Sequence, residues 1–180
     1  MLITDRIELA KHFKKKGFVY GAEVGTADGR YAEILCQEIP GLQLYCIDPY
    51  MKYEGNWRSN DYQQKAYETA MERLSTFNAK ILRTTGVEAS LKIMDEVLDF
   101  VFIDGDHQFD SVMTDIILWS KKVKKGGIVS GHDYYQFGSG GVVEAVNAYA
   151  QSHGISINLT LQGVAEHKDD KCPCWWFIKE

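Results

Sequence analysis

The chain is poor in several things at once, and each shortage removes a class of protein. Only four of its 180 residues are cysteine, and two of these, Cys36 and Cys46, fall in segments that read as buried helix and strand. A disulfide scaffold is excluded and reduced thiols are expected. The one close cysteine pair, Cys172-Pro173-Cys174 with His167 nearby, lacks the second ligand pair of a structural zinc site. No apolar run approaches the roughly 18 residues of a membrane span, and the first residues carry Asp5, Arg6 and Glu8 where a secretory leader would be greasy. A cytoplasmic location without a membrane partner is the expectation. Basic residues are also short: 20 Lys and Arg against 25 Asp and Glu give a net charge of −5, which argues against a nucleic-acid partner. There is no repeat or low-complexity tract, and 45% hydrophobic and 25% charged residues match an ordinary globular chain. Residues 1–180 are therefore expected to form one domain, with homo-oligomerisation left open.

What is present is an alternation of helical stripes and short apolar runs. Strands are expected at Val19–Val24, Leu42–Ile47, Lys80–Arg83, Leu98–Ile103 and Ile128–Gly131, the last entered through a Lys124-Lys125-Gly126-Gly127 turn. Helices are expected at Ile3–Lys15 (closing an N-terminal unit over residues 1–17), Arg30–Glu38, Asp61–Phe77, Val87–Met94, Phe109–Lys122 and Val142–Gln151. The final runs, Ile155–Leu161 and Trp175–Ile178, are joined by a segment too short for a helical crossover and should pair antiparallel. The sum is an α/β fold, a doubly wound and mostly parallel seven-stranded sheet with an antiparallel C-terminal strand. Such sheets bind ligands beyond the carboxyl ends of their strands.

The residues at those ends are chemically specific. After the first strand stands Glu23-Val24-Gly25-Thr26-Ala27-Asp28-Gly29, a turn that lets a ligand approach the backbone at a helix N-terminus. Gly25, Ala27 and Arg30 meet only the first demand of the dinucleotide fingerprint, and an acid before the first glycine suits an ammonium or sulfonium ligand better than a pyrophosphate. Asp48, at the end of the second strand, is placed to accept ribose hydroxyls, or else simply forms an Asp-Pro turn. The fourth strand ends in Asp104-Gly105-Asp106-His107 and the fifth in His132-Asp133. Asp104, His132 and Asp133 could form one open-faced metal site, with a donor set that suits manganese, iron or zinc better than magnesium. Asp115, on the helix after the fourth strand, reads as a solvated surface acid.

The order of these motifs resembles the class I S-adenosylmethionine-dependent methyltransferases, and among them the metal-assisted small-molecule O-methyltransferases of macrolide-sugar and catechol type. The resemblance spans nearly the whole chain, with Ala27 standing where the usual pattern has glycine. It implies cofactor contacts at Glu23, Gly25, Thr26, Ala27, Gly29, Asp48, Thr85, Gly86, Val87 and Asp104. Gly25 and its neighbours would lie against the methionine portion, Glu23 near its amino group, and Thr85-Gly86-Val87 beside the adenine, although Thr85 could equally cap a helix. It further implies a metal-binding carboxylate at Asp104 and a general base at His107. Residues 50–60, with Tyr50, Tyr53 and Trp57, are a candidate lid. Tyr134, Tyr135 and Phe137 could line the acceptor pocket, beside Gly138-Ser139-Gly140-Gly141, which either hinges that wall or starts the next helix. Methyl transfer to a hydroxyl of a small molecule is the function expected. The alternatives are a nicotinamide-dependent oxidoreductase, whose glycine pattern is the wrong one, and a non-catalytic adenosylmethionine-binding module.

Overall fold

In the computed structural model, residues 2–52, 58–136, 138, 140–161 and 172–180 are described. The elements run α1 (Arg6–Lys15), β1 (Tyr20–Val24), α2 (Arg30–Glu38), β2 (Gln43–Asp48), α3 (Asn60–Leu74), β3 (Ala79–Arg83), α4 (Gly86–Ser90), β4 (Leu98–Ile103), α5 (Phe109–Lys122), β5 (Val123–Gly131), α6 (Val142–His153), β6 (Asn158–Leu159) and β7 (Trp175–Ile178). The strands form one seven-stranded sheet in the order β3-β2-β1-β4-β5-β7-β6. β1 to β5 are mutually parallel, and β7 runs antiparallel to both β5 and β6. The winding reverses between β1 and β4, so the strand ends there open into a cleft.

β4 explains why the sheet must be covered on both faces. Phe100 and Phe102 point into one core with Leu9, Phe13, Leu35 and Leu44, while Val101 and Ile103 point into the other with Ile116, Trp119 and Trp175. All of these side chains are buried, which is why the strand reads as an unbroken apolar run. Phe100 stacks on Phe13 with ring centroids 4.4 Å apart, and Gly21 of the neighbouring strand makes room for it: a Cβ there would lie 2.3 Å from the Phe100 ring. Local chemistry sets the helix ends. Asp5 caps α1 by accepting the Ile7 and Glu8 N–H groups at 2.9 Å, which starts the helix three residues later than the apolar spacing suggested.

Two further boundaries differ from the sequence reading. The Lys124-Lys125-Gly126-Gly127 stretch is not a turn before β5 but lies within it. Val123 pairs with Leu98, and the register shifts between Leu98 and Phe100, so the extra residues are absorbed as a bulge. The helix after β3 is a single turn ending at Ser90, and β6 is only two residues long. The four cysteines are free, with Cys36 and Cys46 buried in α2 and β2. No helix among the described residues is long and apolar enough to cross a membrane.

Because Phe100 is fully buried and joins β4 to α1, Phe100→Ala is expected to cost about 3 to 5 kcal/mol of folding free energy, read by urea denaturation.

Candidate functional site

The site begins where β1 stops. Past Val24 the backbone of Gly25 takes a left-handed φ of 93°, and its N–H donates to the Ile47 carbonyl at 2.8 Å. On the other side the Asp104 N–H donates to the Val24 carbonyl at 2.7 Å. The ends of β2, β1 and β4 are thus tied together, and Gly25 is pressed against β4 so closely that a Cβ would fall 2.0 Å from the Asp104 carbonyl oxygen. Only glycine fits there. Ala27 follows with φ 47°, a left-handed conformation that residues other than glycine adopt only at a cost. Its N–H donates to Asp48 Oδ2 at 3.0 Å, while the Tyr50 N–H donates to Asp48 Oδ1 at 2.8 Å. Gly29, also left-handed, caps α2 without a side-chain partner.

Two chambers open on either side of this crossing. The first, about 460 Å³, runs from Asp48 past Gly25 and Thr85-Gly86-Val87 to Asp106 and Asp115. The second, about 330 Å³, is lined by Arg6, Glu23, Thr26, Tyr31, His107, His132 and Asp133 among others. Gly25, Ala27, Arg58, Asp104 and Gly105 line both. Of the residues singled out in the sequence for a cofactor, Gly25, Ala27, Asp48, Thr85, Gly86, Val87 and Asp104 face the first chamber, whereas Glu23 and Thr26 face the second. Thr85 does cap α4: its hydroxyl accepts the Glu88 N–H and Glu88 reaches back to the Thr85 N–H.

The second chamber holds the titratable cluster. Asp104, His107 and Asp133 have ligand atoms within 4.8 Å of one another, so the compact trio contains His107 where the sequence reading named His132. His107 Nε2 lies 2.9 Å from Asp133 Oδ2, and His132 Nδ1 lies 3.1 Å from Asp133 Oδ1. Asp133 therefore sits between two imidazoles, which hold its carboxyl well below the usual range despite its burial. The hydrogen bond that His107 donates to Asp133 raises the His107 imidazole, and the same carboxylate together with Asp104 raises His132 against the opposing effect of burial. His132 is 6% exposed and its Nε2 is buried with no hydrogen-bond partner. Asp133 has a left-handed φ of 56°, a strained backbone at the centre of the cluster. Burial pushes Glu23 well above the usual carboxylate range, with one oxygen unpartnered, and raises Asp104 and Asp48 as well.

Several residues take roles other than those expected. Asp115 is not a solvated surface acid: it lines the first chamber, and burial, with Asp106 beside it, pushes its carboxyl up to about 7. The spacing of α5 puts it on the cleft side of the helix, which composition alone does not reveal. Tyr50 is not a lid but a core residue, 2% exposed and edge-on to Tyr67 beneath α3. Tyr53 and Trp57 lie outside the described residues, as do Phe137, Ser139 and His167. Tyr134 packs against the core and donates to Asn147 at 2.9 Å, while Tyr135 is exposed, and neither lines either chamber. Gly141 is no hinge, since it donates to the His107 carbonyl at 2.8 Å and is pressed against Phe109. Residues the sequence did not flag are Arg6, which α1 brings over the Tyr31 ring at 5.3 Å, and Arg58. Cys172 is another, held beside Asp133, with burial as the main cause that pushes its thiol up to about 11.

Two outcomes follow from this geometry. Ala27→Gly removes the left-handed strain and is expected to stabilise the chain by about 1 kcal/mol, a rise of roughly 2 to 4 °C in thermal midpoint. Glu23 keeps a proton in the folded state that the unfolded chain releases above about pH 4.3, so folding loses stability as pH rises beyond that value. Asp115 acts with the same sign up to about 7, and so do the raised histidines above their unfolded value. The thermal midpoint is expected to fall between pH 5 and pH 8, and Glu23→Gln to flatten that fall; a midpoint that rises over this range contradicts the assignment.

Comparison with known proteins identifies the fold and the family. The fold is similar to that of an O-methyltransferase from Bacillus cereus in complex with SAH, at TM-score 0.73 and 16% identity over 97% of this chain and 80% of that one. It is also similar to the O-methyltransferase TomG from Streptomyces achromogenes, involved in tomaymycin synthesis, in complex with SAM: TM-score 0.70, 14% identity, 97% of this chain and 79% of that one. An rRNA methylase from Streptococcus thermophilus shares the fold at TM-score 0.65 and 13% identity over 99% of both chains. A curated relative, an uncharacterized protein of Acanthamoeba polyphaga mimivirus, is 30% identical over 145 residues, 77% of this chain and 62% of the relative. This chain thus spans less than two thirds of that protein. A family profile described as a methyltransferase domain matches residues 22–134, which run from inside β1 to the residue after Asp133 and make up more than half of the sequence. The chain therefore belongs to the methyltransferase-domain family and has the fold of the class I S-adenosylmethionine-dependent methyltransferases.

Proposed function

We propose that the chain transfers a methyl group from S-adenosylmethionine to a hydroxyl of a small molecule, with the adenosyl part in the first chamber and the acceptor in the second. The observation that carries this reading is the meeting of the two chambers at Gly25 and Asp104-Gly105, with His107, His132 and Asp133 lining the second and not the first. Asp48 faces the ribose, and the raised Glu23 and Asp104 carboxyls gain compensation from a ligand that carries an ammonium and a sulfonium. The net charge of −5 favours a small acceptor over ribosomal RNA. The glycine pattern and the family both speak against a nicotinamide cofactor.

Methyl transfer is an in-line displacement at the sulfonium methyl, so the protein must align the acceptor and take its proton. His107 is the base in this reading. Asp133 engages Nε2 at 2.9 Å and fixes the ring that would receive the proton from the acceptor hydroxyl. Such a base contributes typically about 10² to 10⁴-fold. A divalent metal fits the same wall. Asp104 and Asp133 offer oxygens and His107 an imidazole nitrogen, all within 4.8 Å of one another, so a bound metal would take up the ring that otherwise serves as base. That mixed donor set suits manganese, iron or zinc better than magnesium. Bound there, a metal would stabilise the acceptor oxygen as an anion.

Calorimetric titration tests the division of roles. S-adenosylhomocysteine should bind and NAD should not; heat from NAD alone overturns the reading. Asp48→Ala should weaken S-adenosylhomocysteine at least about tenfold, while His107→Ala leaves that affinity unchanged and lowers turnover of a hydroxylated acceptor about 10² to 10⁴-fold. Binding of S-adenosylhomocysteine without turnover of any acceptor identifies the non-catalytic module instead. His107→Ala should weaken Mn²⁺ binding about 10- to 100-fold. An affinity for Mn²⁺ that survives His107→Ala and is lost on His132→Ala gives the ligand role to His132 instead.

A further inference from the structure

Arginine is scarce in this chain and unevenly placed. Of the five, two support the fold: Arg73 donates to the Asp28 carbonyl at 3.0 Å and to Glu33 at 2.8 Å, and Arg83 donates to the Tyr50 carbonyl at 3.3 Å. The other three, Arg6, Arg30 and Arg58, all line the second chamber, and no lysine among the described residues lines either chamber. Their positions run against local preference. Arg6 is the first residue of α1, Arg30 is the first of α2, and Arg58 stands just before Ser59, the N-cap of α3. A helix N-terminus carries partial positive charge and disfavours a cation, so helix formation does not explain guanidiniums at all three starts. Arg6 is only 8% exposed, with its guanidinium 5.3 Å from the centre of the Tyr31 ring, and burial of such a charge is costly. α2 adds to the same field, because its N-cap, Gly29, offers no side chain to the first N–H groups.

The acids on this wall have other attachments. Asp28 is shared between Arg30 at 3.5 Å and Arg73 at 3.6 Å, Asp133 sits between two imidazoles, and burial keeps a proton on Glu23. A chamber built this way suits a ligand with negative charge. We propose that the second chamber takes a hydroxylated acceptor that also carries an oxyanion, a carboxylate or a phosphate, which Arg6 and Arg58 hold beside Arg30 and the start of α2. The proposal names the acceptor class for the methyl-transfer reading given above and rests on that reading. The planar fork of a guanidinium matches two oxygens of such a group at once, which a lysine cannot do. With the oxyanion at the helix starts, the hydroxyl is left toward His107, which lines the same chamber. The methionine part of the cofactor brings one carboxylate and one ammonium, and the ammonium has Glu23. One carboxylate does not account for guanidiniums spread over the starts of three helices.

The experiment is calorimetric titration of inorganic phosphate, and of dihydroxybenzoate and its amide, into the whole chain saturated with S-adenosylhomocysteine. Phosphate is expected to bind, and the benzoate to bind about tenfold or more tightly than the uncharged amide of the same shape. Arg6→Gln and Arg58→Gln should each weaken phosphate about tenfold and bring the benzoate-to-amide ratio below about threefold. Arg6→Lys, which keeps the charge and loses the fork, should fall between. Arg83→Gln, at a residue that lines neither chamber, should bind as the unaltered chain does. Thermal midpoints check that each variant folds, and Arg58→Gln decides if the buried Arg6 tolerates no substitution. Four results overturn the proposal and leave the methyltransferase reading intact: neither oxyanion binds the saturated chain; the amide binds as tightly as the benzoate; binding survives both glutamine substitutions; or the oxyanions bind only without S-adenosylhomocysteine and are displaced by it, which gives the arginines to the cofactor's own carboxylate. If S-adenosylhomocysteine itself does not bind, the cofactor reading falls and the proposal with it.

Discussion

The close approach of the Gly25 backbone to the Asp104 carbonyl is the constraint on which the rest of the cleft depends. It is a backbone-on-backbone contact, so no side-chain adjustment can relieve it. The two hydrogen bonds that flank it, Gly25 to Ile47 and Asp104 to Val24, lock three strand ends at one level. The crossing they form is what separates the two chambers while letting both touch Gly25, Ala27 and Asp104. A donor and an acceptor can then face each other across one point, which is what an in-line transfer requires. Any residue but glycine would push β1 and β4 apart and merge or close the chambers.

The cleft is also where the molecule concentrates unfavourable terms. Glu23, Asp48, Asp104 and Asp115 are all raised by burial, Ala27 and Asp133 hold left-handed backbones, and His132 and Glu23 keep unpartnered atoms. Elsewhere the pattern is the reverse: the two cores are apolar, the caps of α1 and α4 are satisfied, and β4 alternates cleanly between them. Strain and desolvated acids gathered at one edge of an otherwise consistent sheet mark that edge as the candidate site. On the proposed reading, a cationic sulfonium with an ammonium group would relieve them.

Much of this was legible without the structure. The runs at Leu98–Ile103 and Trp175–Ile178 keep their bounds because short β-branched and aromatic runs suit strands, and Phe109–Lys122 keeps its own because its apolar spacing suits a helix. Gly25, Asp48, Asp104 and Asp133 could be placed near one cleft because the doubly wound topology sends every strand's carboxyl end to the same edge. Tyr50 and Asp115 were misplaced for one shared reason. Each sits just beyond a strand or on a helix whose rotation about its own axis is fixed by packing, so the choice between core, cleft and solvent is not written locally. The same is true of Gly126 and Gly127, whose turn chemistry was overridden by pairing with β4 and with the C-terminal end of the chain.

The sequence by itself determined the element order, the sheet with its reversed C-terminal strand, and the identity of the residues gathered at its carboxyl edge, because strand period, glycine placement and strand-end acids are local properties. Only the tertiary structure decided how that edge is divided. It set His107 rather than His132 in the compact trio with Asp104 and Asp133, brought Arg6 over Tyr31, and turned Asp115 inward between Gly86 and Gly105. These are matters of helix rotation and of distances between residues far apart in the chain, and they are settled when both faces of the sheet are packed at once.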